Sequence, residues 1–150
     1  MRLYLDTSVL GALTDRHDER RLASTRMLLS AVRDTTHEAV ISNVVQEELE
    51  RAPAELRRSI LTEVRDVEFE LVTESSESGQ LVAEYLAAKI VSPRYSTDLR
   101  HVAVATVRRV DALVSWNFKH LVNLRTRRAV HAINLRLGFP LLEIVSPEEV

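Results

Sequence analysis

MRLYLDTS, residues 1–8, decides the fold: an apolar run of Leu3, Tyr4 and Leu5 stops abruptly at Asp6, and the hydroxyls Thr7 and Ser8 follow. A buried strand over 3–5 delivers Asp6 to the point where the chain leaves its sheet. In open α/β folds the rim outside the carboxyl ends of the strands is where ligands bind. Asp6 is therefore expected to begin a carboxylate cluster that holds a divalent cation, with partners elsewhere in the chain.

Outward from this stretch, apolar runs and helical periodicities alternate. Residues 7–13 open a short helix with Asp6 or Thr7 as N-cap. A longer helix over 18–33 carries Leu22, Thr25, Leu28, Leu29 and Val32 at helical spacing. A strand over 39–42 leads into a helix over 43–51 capped by Asn43, and Pro53 opens another with Leu56, Ile60, Leu61 and Val64. A strand over 69–72 and a helix over 78–90 follow, broken by Ser92-Pro93. The helix over 97–110 is apolar nearly all round and should be buried. Next come a strand over 112–115, a turn and helix start over 116–121, and a helix over about 124–137 that Gly138 stops. A strand over 141–145 ends the series. This alternation predicts a three-layer α/β/α fold, with a central parallel sheet of about five strands, right-handed crossovers and helices on both faces. No repeat, low-complexity stretch or linker divides residues 1–150, which read as a single domain.

With 45% hydrophobic and 28% charged residues, the 150-residue chain has the makings of a packed core, and its composition argues against disorder. The absence of cysteine excludes disulfides, thiol nucleophiles and thiolate metal sites, and fits a reducing cytoplasm. No signal peptide is expected, because the first apolar stretch is short and meets Asp6 at once. No apolar run approaches the roughly 20 residues of a membrane helix, so the expected protein is soluble and cytoplasmic. A net charge of −2 gives no overall pull toward nucleic acid. All cations but Lys89 and Lys119 are arginines, clustered at Arg16, Arg20, Arg21 and Arg26 and again at Arg125, Arg127 and Arg128. Guanidinium forks suit phosphate, although a solvated helix face is the simpler account of any one of them.

A hard divalent cation needs several oxygen ligands, and carboxylates supply both oxygen and charge. Helical phase separates the neighbours Glu47 and Glu48. At about 100° per residue, Val45, Leu49 and Ala52 average roughly 80° from Val44, which puts Glu48 about 40° from the apolar direction and Glu47 about 140° away. Glu48 is thus expected to face inward and Glu47 to face water. Asp98 falls in the first turn of the apolar helix, where it complements the helix dipole, but the burial of that helix also brings it toward the rim that holds Asp6. The run VDALVSWNFKH, 110–120, repeats the pattern of residues 1–8: apolar residues, then Ser115, then an oxygen ligand at Asn117. Asn117 can supply its amide oxygen, hold a water or simply cap the helix that follows. Asp111 precedes its strand and belongs to the opposite edge of the sheet.

The stretches LYLDTSVL (3–10), ISNVVQEEL (41–49), TDLRHVAVAT (97–106) and LVSWNFKHL (113–121), with NLRLGFPLLEIVSPEEV at the end, resemble the PIN-domain nucleases. More narrowly they resemble the VapC-type toxins of bacterial toxin-antitoxin pairs. The likeness spans essentially the whole chain, in order, with separations of 42, 50 and 19 residues from Asp6 to Glu48, Asp98 and Asn117. It implies a PIN-like α/β/α fold and endonucleolytic hydrolysis of RNA, such as transfer or ribosomal RNA, dependent on Mg²⁺ or Mn²⁺. It also implies a cognate antitoxin and a homodimer. Asp6, Glu48 and Asp98 fall on the family's acidic metal-site positions. Asn117 stands where many members have a fourth acid, which leaves the number of metal ions open. Thr7, Ser8 and Ser115 match polar positions that orient the site or a bound water.

Carboxylates gathered at one rim raise one another's pKa values until a cation relieves the repulsion. No histidine is required as a base, and His101 and His120, which lie near the motifs, read more simply as structural. Two other readings stay open. Asn117 in place of an acid is compatible with a PIN-fold module that binds RNA without cutting it. Asp6 could instead be a phosphotransfer nucleophile, as in the haloacid-dehalogenase phosphatases, but those carry an acid two residues further on, where this chain has Ser8.

Overall fold

A computed structural model describes residues 1–150. Five parallel strands, β1 (Arg2–Leu5), β2 (Glu38–Ser42), β3 (Phe69–Val72), β4 (Ala112–Val114) and β5 (Glu143–Val145), form one sheet in the order β3-β2-β1-β4-β5. Seven helices connect them: α1 (Thr7–Ala12), α2 (Glu19–Arg33), α3 (Asn43–Arg51), α4 (Ala54–Glu63), α5 (Ser76–Ala87), α6 (Ser96–Val107) and α7 (Leu124–Arg136). A short 3-10 turn, Pro93–Tyr95, precedes α6. The expected three-layer α/β/α architecture with about five parallel strands is the one observed.

The strand pleat sorts β1 between two cores. Tyr4 joins Val40, Leu113 and Ile144 on one face, under Leu81 and Tyr85 of α5, the Leu99–Ala105 stretch of α6 and Val130 and Ile133 of α7. Leu3 and Leu5 join Ala39, Ala112 and Val114 on the other, under Val9 of α1 and Leu28, Leu29 and Val32 of α2. The inner strands are covered on both faces, which is why they read as near-continuous apolar runs rather than alternating ones, while the edge strand β3 exposes Glu70 and Leu71. No helix is long and apolar enough to cross a membrane.

Local chemistry corrects several expected boundaries. Ser42, not Asn43, caps α3, its hydroxyl accepting from Val44 N at 3.1 Å. A capping box between Ser75 and Ser78 starts α5 at Ser76, two residues earlier than periodicity suggests. Both α5 and α6 stop early because Lys89 and Arg109 take left-handed conformations, φ +55° each, which end a helix as glycine commonly does. The helix expected to begin within 116–121 is a single turn, closed by Leu121 N and Val122 N on Asn117 O, and the helix proper begins at Leu124.

Asn123 fastens that turn to α7. Its Oδ1 accepts from Thr126 N at 2.9 Å, and its amide donates to the carbonyls of Phe118 and Lys119 at 3.0 and 3.2 Å. Asn123→Ala is expected to cost about 1 kcal/mol, seen as a lower urea midpoint with an unchanged m-value.

Candidate functional site

After β1 the chain goes to β2 and β3 on one side and then crosses to β4 and β5 on the other, so the strand order reverses between β1 and β4. That switch point opens a crevice at the carboxyl ends. Asp6 leaves β1 there and Ser115 leaves β4, and Ser115 Oγ donates to Asp6 Oδ2 at 2.6 Å. The other oxygen, Oδ1, accepts from Ser8 Oγ at 2.5 Å and from the amides of Ser8 and Val9 at 3.0 and 3.3 Å, so Asp6 is also the N-cap of α1. Ser8 Oγ accepts from Trp116 N at 2.8 Å, and Ser115 Oγ accepts from Asn117 N at 2.9 Å. The two strand ends are thereby stitched together by hydroxyls.

Asp6 is only 4% exposed, and every donor to it is a neutral hydroxyl or amide; no lysine or arginine pairs with it. Burial pushes its carboxyl above the usual aspartate range, and nearby His101 together with the bonds from Ser115 and Ser8 opposes this only in part.

Glu48, on α3, accepts from Thr7 Oγ1 at 2.7 Å and bonds His101 Nε2 at 2.6 Å. Burial pulls its carboxyl upward, but the bonds from His101 and Thr7 outweigh that and hold it below the usual glutamate range. The expected contrast with Glu47 holds in direction but not in exposure: the two side chains are 34% and 39% exposed. Glu47 does not simply face water. It meets Arg100 of α6 at 3.0 Å, which also binds Glu74, while Asn43 donates to both acids. Helical phase gives direction about one axis, and here both directions lead to neighbouring elements at the rim.

Asp98 lies in the first turn of α6, as expected, with Oδ2 bonded to His120 Nδ1 at 2.7 Å. The His120 ring packs on Tyr95 with centroids 4.1 Å apart. The amide oxygen of Asn117 accepts from His120 N at 3.0 Å, which is the capping role. Asp111 accepts from Arg2 N at the opposite end of the sheet, outside the site.

One continuous network thus joins Asp6, Ser8, Ser115 and Asn117, and Thr7 ties Glu48 to it. Asp98 and His101 are three residues apart and share a face of α6. No three histidine, aspartate or glutamate side chains converge as a ready set of metal ligands. The carboxylates of Glu48 and Asp98 are each turned to a histidine instead. The donor types nevertheless suit a hard divalent ion: carboxylate, amide and hydroxyl oxygens, no sulfur, and in Asp6 a desolvated carboxylate without a cationic partner.

His101 and His120 are the contributors that the sequence leaves as structural. His101 is buried, and its Nδ1 bonds the Tyr4 hydroxyl at 2.7 Å, which in turn bonds Ser42 Oγ at 2.6 Å. The available signal was Tyr4 itself: a phenol inside an otherwise aliphatic buried strand needs a polar partner. Of the clustered arginines, Arg20 pairs with Glu148, Arg21 with Asp18, Arg26 with Glu63 and Arg127 with Glu149, while Arg16, Arg125 and Arg128 have no ion-pair partner.

No family model matches the chain, and a search of curated proteins gives no match. Solved structures do match. The crystal structure of VapBC2 from Rickettsia felis bound to a DNA fragment from their promoter contains a chain that superposes with a TM-score of 0.62 at 17% identity, covering 97% of this chain and 98% of that one. The crystal structure of DNA-bound VapBC from Salmonella typhimurium gives a TM-score of 0.61 at 14% identity, with 98% of each chain covered. The likeness is one of fold, and the fold is PIN-like.

Proposed function

We propose that the chain is a metal-dependent endoribonuclease and the toxin member of a toxin-antitoxin pair. The observation that carries this reading is Asp6: a buried carboxylate at the sheet's switch point, bonded only to neutral donors, with Glu48 and Asp98 on the adjoining helices. An ionised carboxylate so placed is expensive unless a cation shares the site. Asp6, Glu48 and Asp98 would hold Mg²⁺ or Mn²⁺, with the Asn117 oxygen as a fourth donor. When bound, the ion supplies Lewis acidity at the scissile phosphate and a water of lowered pKa.

The chain's own residues do the positioning. Ser8 and Ser115 fix both oxygens of Asp6, Thr7 and His101 fix Glu48, and His120 fixes Asp98. The similar structures are VapBC complexes bound to DNA, so the same reading gives this chain an antitoxin partner and, with it, a place on promoter DNA. Homodimerisation belongs to the reading as well.

Purified protein is expected to cut total RNA with Mg²⁺ or Mn²⁺ and to stop in excess chelator, with the cut ends mapped by sequencing. Adding the product of a directly adjoining small gene should suppress the cutting. Cleavage that persists in chelator would sink the metal mechanism. A second reading, an RNA-binding module without turnover, draws on one observation: the Asn117 oxygen is already engaged as a cap. RNA binding without cutting under either metal would select it.

A further inference from the structure

Next to His120, the partner of Asp98, lies a groove of about 250 Å³, between the end of α5 and the turn that leads into α7. Its lining includes Lys89, Tyr95, Lys119, His120, Asn123 and Arg125, and no acidic side chain. The chain has 18 arginines' worth of other cations and 22 acids, yet its two lysines both line this one groove. Lys89, Lys119 and Arg125 are exposed and none has an ion-pair partner, nor has the adjacent Arg94, in contrast to the paired arginines of α2. Composition alone would intersperse acids here, as it does in the cleft between α1 and α4, where Arg16 and Arg58 stand with Glu55 and Glu63.

The groove has an aromatic wall as well as cations. Tyr95 is half-buried against His120, with the Arg94 guanidinium 5.2 Å and the Lys119 ammonium 5.9 Å from its ring centre. His120 is shared: it lines the groove while its Nδ1 bonds Asp98 at 2.7 Å. A ligand seated here lies one side chain, His120, away from the Asp98 carboxylate. Cations that track a phosphate backbone, combined with an aromatic ring for a base, are the means by which proteins hold unpaired RNA.

We infer that this groove is a subsite for one nucleotide of single-stranded RNA, with its phosphate on Lys89, Lys119 and Arg125 and its base against Tyr95. Only the position of that nucleotide next to the cleaved bond rests on the nuclease reading; the binding itself needs no metal.

The test is fluorescence anisotropy of a labelled single-stranded hexaribonucleotide with the full chain in chelator. Lys89→Gly removes a cation at a position whose φ of +55° suits glycine, and Lys119→Gln removes another from an exposed turn, so both should fold. The double variant is expected to bind at least tenfold more weakly, with the slope of log affinity against log salt shallower by about 0.7 per lost phosphate contact. Tyr95→Leu should weaken binding roughly tenfold without changing that slope. Arg58→Gln, in the cleft between α1 and α4, serves as the control and should bind like the parent. The inference is overturned if the double variant keeps the parent's affinity and slope, if Arg58→Gln is equally damaging, or if inorganic pyrophosphate binds the groove while the RNA does not. Binding that follows these expectations without cleavage under either metal would sink the nuclease reading and leave the subsite standing. Cleavage with a KM unchanged in the double variant would do the reverse.

Discussion

Asp6→Asn is expected to slow RNA cleavage by about two orders of magnitude and, in chelator at neutral pH, to raise the melting temperature. The loss of activity follows from removing the carboxylate at the switch point: forfeiting about 3 kcal/mol of the charge stabilisation a metal site provides is a factor of ~10² in rate. The gain in stability follows from the same burial. The folded-state pKa of Asp6 is raised above its unfolded value, first by desolvation. Its contribution to stability is therefore fully present below the unfolded pKa and is lost as pH rises through the folded one. Above the unfolded pKa the raised carboxyl therefore works against the fold, and asparagine, which does not titrate, removes that cost. Asparagine is also a good N-cap, so it can keep accepting from Ser8 and Val9 while its amide faces Ser115 Oγ. For a chain of this size each ~1 kcal/mol is worth about 2–4 °C, and a rise of at least about 2 °C is expected. The difference should close as pH falls below about 4, where the parent's Asp6 is protonated as well. Mn²⁺ should then stabilise the parent by mass action and leave the variant unmoved. A variant that melts lower than the parent at pH 7 in chelator would mean that Asp6 is chiefly a structural cap.

That Asp6 was legible in the sequence, and His101 was not, has a physical reason. Asp6 announces itself because a carboxylate directly after Leu3, Tyr4 and Leu5 leaves it little choice but the rim, and Ser115 and Asn117 are announced by the same pattern after β4. Glu48 needed only the phase of one helix. His101 required knowing which face of α6 meets α3, a relation between two elements far apart in the chain that no local period encodes. His120 was hidden for a related reason: the residues expected to start a helix instead close one turn on Asn117 O, and that turn swings the ring under Tyr95 and onto Asp98. The parallel sheet itself was readable because strands covered on both faces have to be apolar throughout, whereas the ends of α5 and α6 were not, since lysine and arginine took the left-handed positions where glycine would have marked a stop.

Tyr4→Phe is expected to lower both stability and activity, and the comparison with Tyr85→Phe separates the two. Glu48 is held as a carboxylate and can only accept, so His101 Nε2 donates to it, and in the tautomer that carries its one proton there Nδ1 accepts from the Tyr4 hydroxyl. Tyr4 then accepts from Ser42, and Ser42 accepts from Val44 N at the start of the helix that bears Glu48. The chain of bonds leaves from the cap of α3 and returns to its carboxylate six residues on. Removing the phenol oxygen leaves the Ser42 hydroxyl and His101 Nδ1 buried without that partner, for which about 1–3 kcal/mol of stability is the expected loss. It also frees His101 to carry its proton on Nδ1, where it no longer donates to Glu48. Partners that fix the ligands of a metal site are typically worth 10–100-fold in metal affinity or activity, and a loss of that order is expected in both Mn²⁺ affinity and cleavage. Tyr85 is equally buried and bonds Asn134 at 2.6 Å and Thr106 at 3.3 Å, inside the core under α5, with none of these groups bonded to Asp6, Glu48 or Asp98. Tyr85→Phe should therefore melt lower to a similar degree and keep the parent's Mn²⁺ affinity and cleavage rate. NMR of the His101 ring nitrogens should show the Nε2–H tautomer in the parent and in Tyr85→Phe, and a mixture in Tyr4→Phe. If the two variants lose stability equally and neither loses affinity for Mn²⁺, Tyr4 and His101 pack the sheet against α6 and do not position Glu48.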